Sequence, residues 1–225
     1  EIMPSLVGSE MCIRDSRKTA HKMIELKNVD IHCDDGTDIR QASAVVANGR
    51  SLLVYGRDAA TRHCLAEALL GLRPVAGGYL TYDGEVLTPA ASRYMRRQIG
   101  YVPALPPQPQ YSLRQMADSL LRLDIHREYR KDSNQLIDIW MAAGISEQHI
   151  DAPCETIAAT EVTTGMLCLA HWLRKQVVIA EEVADEATAE RLREMAAEDS
   201  VVIATTADSA LADYFDNHIN LEELQ

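Results

Sequence analysis

An apolar strand that runs straight into a glycine and then a helix constrains this chain more than any other feature. Leu52 to Tyr55 forms the strand, Gly56 the break, and Leu65, Leu69 and Leu72 fall on one face of the helix that follows. So short a hand-over packs the helix against the sheet that holds the strand. The alternation returns near the C-terminus. A helix through "GMLCLAHWL" leads to strand "VVIA", helix "EATAERLREMAAE", strand "VVIATT", helix "DSALADYF" and a short strand around "HINLEEL". Strand–helix–strand repetition predicts an α/β fold with a mainly parallel sheet.

Other segments read as antiparallel. "IELKNVDIHC" alternates, slips once and resumes, "DDGT" is a turn, and "AVVANGRSLLVYG" gives two strands around Asn48-Gly49. Pro74 and Gly77-Gly78 interrupt the chain before the hairpin "YLTYDGEVL", which turns at Asp83-Gly84, and "RRQIGYVP" supplies a further strand. The hairpin and the N-terminal strands among these predict an antiparallel β edge. From Leu105 to about Thr164 the character changes to a helical insert. There Leu136, Ile139, Trp140 and Ala143 follow helical spacing, and Gly144 stands where a helix would end.

Length fits one domain with a core of its own, at 225 residues and 47% hydrophobic content. A net charge of −12 argues against nucleic acid or an anionic membrane surface as a direct ligand. No run approaches the ~18 apolar residues of a membrane span, so direct membrane insertion is not expected. Cys12, Cys33, Cys64, Cys154 and Cys168 are scattered and odd in number, which reads as reduced thiols and not as disulfides or a zinc site. The opening "EIMPSLVGSEMCIRDS" resembles a peptide produced when sequencing-adapter DNA is translated in frame with a gene. Residues 1–22 are therefore read as a leader, with the native start at Met23.

Against the phosphate-loop pattern G-x-x-x-x-G-K-[ST], Gly56 holds the first position, while Thr61, Arg62 and His63 replace Gly, Lys and Ser/Thr. The surroundings resemble the nucleotide-binding subunit of ATP-binding cassette (ABC) transporters. "GLRPVAGGYLTYDGE" is similar to the family's post-helix segment, "RRQIGYVP" to the strand before its Q-loop, "VVIAEEVAD" to its Walker B strand, and "VVIATTAD" to its switch strand. Four ordered matches span nearly everything from Met23 to Leu224. The resemblance implies a P-loop NTPase-like (ABC ATPase) core with the helical insert at about 105–164, in a domain of residues 23–225.

The resemblance also assigns positions. Gly56, Arg57, Asp58, Ala59, Ala60, Thr61, Arg62, His63 and Cys64 stand in the phosphate loop, where Ala59 and Thr61 replace glycines that let backbone N–H groups wrap phosphate. Arg62 replaces the lysine and, being longer and planar, is not expected to thread the same nest. His63 replaces the hydroxyl that ligates magnesium. Cys33 falls where an aromatic ring stacks on adenine, Ala104 at the Q-loop glutamine and Ala207 at the switch histidine. The signature motif belongs between Thr156 and Met166, without its paired glycines. Glu181 stands for the Walker B aspartate and Glu182 for the catalytic carboxylate. ATP and magnesium are the implied cofactors, with weak or absent binding expected, and no protein metal site. The implied partners are a membrane permease subunit and/or a second ABC ATPase subunit in a dimer. The expected place is the cytoplasm, at the inner face of a membrane through a partner. Three functions compete: a pseudo-ATPase subunit, an ABC ATPase with an altered site, and a module that holds nucleotide or another anion without hydrolysis.

Overall fold

The computed structural model describes residues 23–224, so the leader read over residues 1–22 lies outside them. The chain opens with β1 (Met23–His32), β2 (Asp38–Ala47) and β3 (Ser51–Tyr55), followed by α1 (Ala59–Leu69). Next come β4 (Gly77–Tyr82), β5 (Glu85–Val86), α2 (Pro89–Met95) and β6 (Ile99–Val102). Four helices follow, α3 (Leu113–Leu121), α4 (Ser133–Ala142), α5 (Glu147–Asp151) and α6 (Ala159–Trp172). The chain finishes with β7 (Val177–Ala180), α7 (Glu186–Ala197), β8 (Val201–Thr206) and β9 (Asn217–Asn220).

Five strands form a parallel sheet in the order β6-β7-β8-β3-β9, and four form a separate antiparallel sheet in the order β2-β1-β4-β5. Every residue of β7 and β8 is buried, as expected of strands covered on both faces. The two strands flanking Asn48-Gly49 go to different sheets, so this turn links two layers and does not close a hairpin. The slip in β1 is a bulge after Leu26, where Asn28 adopts a left-handed backbone (φ 48°). Facing it, Gly78 has φ 65°, and a Cβ there would lie 2.1 Å from the Asn28 carbonyl oxygen, so only glycine fits.

Three apolar clusters hold the layers. Ile24, Leu26 and Ile31 of the antiparallel sheet meet Leu52, Val54 and Ile203 of the parallel sheet, with Leu65 of α1 between them. On the other face Leu53, Val178 and Val202 pack under Leu192 of α7. The third cluster belongs to the helices between β6 and β7, around the fully buried Trp140, whose indole N–H donates to the Gly165 carbonyl at 2.8 Å. Gly144 ends α4 in the left-handed conformation (φ 91°). The "DSALADYF" segment is a 3-10 helix over Ser209–Tyr214 and not an α-helix.

The reading of five free thiols needs correction. Cys33, just beyond β1, forms a disulfide with Cys64 of α1, their Cα atoms 5.8 Å apart, whereas Cys154 and Cys168 are free and buried. The spacing in sequence hid a pairing that the packing of α1 against the end of β1 creates. The bridge closes a separation of 31 residues, which the chain-entropy picture values at about 3–4 kcal/mol. Reduction, or Cys64→Ser, is expected to lower the unfolding free energy by up to that amount in a urea titration. Identical midpoints with and without reductant, together with alkylation of both thiols in the untreated protein, would show that the bridge plays no part.

Candidate nucleotide site

The residues read as a phosphate loop meet the Glu181–Glu182 pair at the C-terminal edge of the parallel sheet. β3 hands over to α1 there, and β7 ends one strand away, across β8. Crevices of this kind take ligands in α/β folds. In this chain the charged groups at that edge are paired with one another.

The loop itself is short, because the helix begins early. Asp58 caps α1 with an extended backbone and accepts a hydrogen bond from the Thr61 amide at 2.6 Å and a short one from the Thr61 hydroxyl. Ala59 to Cys64 are therefore helical, and the backbone N–H groups that would wrap a phosphate are not splayed around a nest. The Thr61 hydroxyl, more than any other group, holds the Asp58 carboxyl below the usual carboxylate range. A carboxylate thus already occupies the positive end of this helix, where an anion would bind. The Asp-x-x-Thr spacing is a capping signal that could have been read from sequence.

Arg62, at the lysine position, turns inward. Its side chain is 2% exposed. Its Nε and Nη2 donate to the two oxygens of Glu182 at 2.7 and 2.6 Å, while Nη1 makes a short bond to the Gly56 carbonyl. Planarity is what permits this, since one guanidinium serves a carboxylate with two N–H groups and a carbonyl with a third. Glu182 is turned toward Arg62 by a left-handed backbone (φ 52°), which costs a non-glycine residue about 1–2 kcal/mol. Its amide donates to the Thr205 hydroxyl at 3.2 Å, fixing that turn to β8.

A second pairing lies beside the first. His63 Nδ1 is 2.8 Å from one oxygen of Glu181, a residue 4% exposed, and the other oxygen accepts from the Tyr101 hydroxyl at 2.9 Å and the Ala104 amide at 3.3 Å. Burial, reinforced by the neighbouring Glu181 charge, pushes the Tyr101 phenol well above its ordinary range, so it stays protonated and donates. Glu181 is thus a satisfied, buried carboxylate and not a solvated edge. Tyr101 and Thr205 were missed in the sequence reading, although Tyr101 lies inside the quoted "RRQIGYVP".

The remaining positions supply little. Ala104 contributes only its amide, Ala207 is an exposed methyl, and Cys33 is committed to the bridge. Arg57 is exposed and lies 3.6 Å from Glu222. Residues Thr156 to Met166 run from a 3-10 turn into α6, whose first turn carries Glu161 paired with His149 at 2.9 Å. Among the described residues no group of three or more His, Cys, Asp or Glu is arranged to hold a metal ion.

The two partners of the Arg62–Glu182 pair differ in burial, so breaking it from either side has unequal cost. Glu182→Gln leaves a guanidinium buried without a counter-charge and is expected to lower the unfolding free energy by about 3 kcal/mol. Arg62→Met leaves Glu182, 32% exposed, able to find water, and should cost about 1–2 kcal/mol. Urea denaturation of the two variants checks the ranking; the reverse order would contradict the pairing described.

No family model and no curated protein matches the sequence. Solved structures do match. CbiO1 from Clostridium perfringens, part of the ABC transporter complex CbiONQ, superposes with a TM-score of 0.69 at 17% identity, over 89% of this chain and 84% of that one. An ATP-binding subunit of an ABC transporter gives 0.68 at 19%, over 88% and 85%. A dimeric bacterial ABC transporter cassette gives 0.67 at 16%, over 88% and 94%. The chain therefore has the fold of ABC transporter ATP-binding subunits, a P-loop NTPase-like core with a separate antiparallel sheet and a run of helices between β6 and β7.

Proposed function

We propose that this chain is an ABC-type cassette subunit that does not turn over ATP, a pseudo-ATPase that acts through contacts with other subunits. The observation that carries this reading is the buried Arg62 guanidinium, which joins Glu182 to the Gly56 carbonyl across the place of the phosphate loop. A γ-phosphate and its attacking water need Glu182 free and aimed at them. Here both of its oxygens are engaged by a cation that the protein supplies.

The residues also do not fit magnesium-ATP. The position of the magnesium hydroxyl is an imidazole bound to Glu181, and the position of the adenine ring is half of a disulfide. Ala207 has no group to orient a γ-phosphate. The Asp58 carboxylate at the start of α1 speaks equally against the anion-holding module. An altered but working ATPase would need Arg62 to leave Glu182 and face phosphate, exposing a charge pair that is now closed.

Contacts with partners are the function left to such a scaffold. CbiO1 is part of a transporter complex and one similar cassette is dimeric; the corresponding proposal is a permease or a competent ATPase subunit as partner. None of the described helices is long and apolar enough to cross a membrane. We place the chain at the inner face of a membrane, held there by that partner.

Losing the stacking ring, the magnesium hydroxyl and the phosphate nest removes contacts worth ~1–3 kcal/mol each. Two of them weaken affinity by roughly a hundredfold. Calorimetry with magnesium-ATP should therefore give no saturable heat at micromolar concentrations, and a low-micromolar dissociation constant would reject the reading. Hydrolysis should remain at background and be indifferent to Glu182→Gln; measurable turnover abolished by that change would establish the altered-site enzyme instead. The combined variant Thr61→Gly, Arg62→Lys, His63→Ser should gain magnesium-ATP binding if the defect is local. A folded variant that still binds nothing would move the cause to the adenine position at Cys33.

A further inference from the structure

One half-buried polar contact joins the helices between β6 and β7 to the connections leading into the sheet, on a cleft whose wall also includes Tyr101. His126 sits at a kink (φ −111°, ψ 15°) in the 3-10 segment Asp124–Asp132. Its Nδ1 lies 2.9 Å from the Leu120 carbonyl, which can only accept, so Nδ1 carries the proton and Nε2 is bare in the neutral ring. Lys175, on the connection from α6 to β7, donates one N–H to that Nε2 at 2.9 Å and another to the Arg97 carbonyl at 2.7 Å. The contact separates two clefts of about 680 and 740 Å³, both of which include Ile125, His126, Leu173 and Lys175 in their walls.

We propose that the His126–Lys175 hydrogen bond is a pH-operated latch, which holds the helical segment to the sheet while His126 is neutral and releases it on protonation. A second proton converts Nε2 from acceptor to donor and sets an imidazolium 2.9 Å from an ammonium. Little nearby would compensate. From the sheet side, Arg96, Arg97 and Arg174 share the clefts, all cationic. Asp83 and Glu85, from the β4–β5 hairpin, and Glu128, from His126's own segment, line the first cleft, and that segment also carries Asp124 and Asp132 with Arg127, Arg130 and Lys131. Tyr94, Tyr111 and Tyr129 also line these walls, as do Tyr82 and Tyr101, whose phenols burial pushes up so that they stay uncharged. On α3, Asp118 and Arg122 face a different cleft. Among the described residues no carboxylate forms an ion pair with His126 or Lys175.

Burial holds the imidazole below its ordinary value, with the Lys175 charge acting the same way and the Leu120 carbonyl opposing. Burial lowers the Lys175 amine as well. The folded ring is thus harder to protonate than the unfolded one. Its contribution is intact above the unfolded value, about 6.5, and is lost as pH falls through and below it. The latch has a built-in reporter, since Tyr129 packs edge-on between His126, at 6.4 Å, and the Trp172 ring, at 5.3 Å.

Hydrogen exchange of the full chain at pH 7.5 and 5.5, corrected for chemical exchange, tests this directly, with Trp172 fluorescence in parallel. The 124–132 segment should lose about tenfold protection at the lower pH in the wild type and less than about twofold in His126→Gln. Equal protection of the wild type at both pH values, or the same pH response in His126→Gln, would overturn the proposal. Ring-nitrogen NMR of the wild type at pH 7.5 should show the Nδ1–H tautomer, and an Nε2–H tautomer would also overturn it. Should His126→Gln fail to fold, Lys175→Met serves: it should loosen the segment already at pH 7.5, and wild-type protection at both pH values would refute the latch.

Discussion

The bond from Arg62 to Glu182 fixes what the C-terminal edge of the parallel sheet can do. It crosses 120 residues of sequence and joins the first turn of α1 to the end of β7. A guanidinium taken out of water must satisfy its N–H groups and its charge or the fold loses several kcal/mol. Glu182 and the Gly56 carbonyl meet that demand together. The left-handed turn at Glu182 follows from the same demand, since it brings the carboxylate to the guanidinium.

Around that bond the site is closed by separate devices of different chemistry. His63 answers Glu181, the Asp58 carboxylate takes the Thr61 amide, and a disulfide fastens α1 to the end of β1. Both bridged sulfurs are buried, at 8% and 2% residue exposure, which slows attack by small thiols. On the reading proposed above, a nucleotide would have to displace these contacts, and each displaced partner would subtract from any affinity gained.

The fold was legible because its signals are local and ordered. Strand "VVIATT", the Asn28 slip and Gly144 each declared a backbone state from neighbouring residues alone. The contacts were not legible. Sequence put Arg62 at the start of α1 and Glu182 after β7, but only packing decides whether a guanidinium points to solvent, phosphate or carboxylate. Cys33 and Cys64 give the same lesson. Both had been assigned to the nucleotide site, one at the adenine position and one at the loop's end, so their closeness was implied. The odd cysteine count and the expectation of a reducing compartment outweighed it. Tyr101 escaped because a phenol supporting a carboxylate has no spacing rule.

Two acids at a strand end are easily taken as a sign of catalysis, and here the geometry gives them a structural role as well. Glu181 accepts from an imidazole, a phenol and an amide, and Glu182 accepts from a guanidinium with both oxygens. Removing either leaves buried donors unpaired, a cost set by the fold whether or not any chemistry occurs. Carboxylates here are the partners of Arg62, His63 and Tyr101. Scaffold and acids therefore form one consistent arrangement, in which Glu181 and Glu182 tie the end of β7 to α1 and β6 through the same contacts on which the proposed function rests.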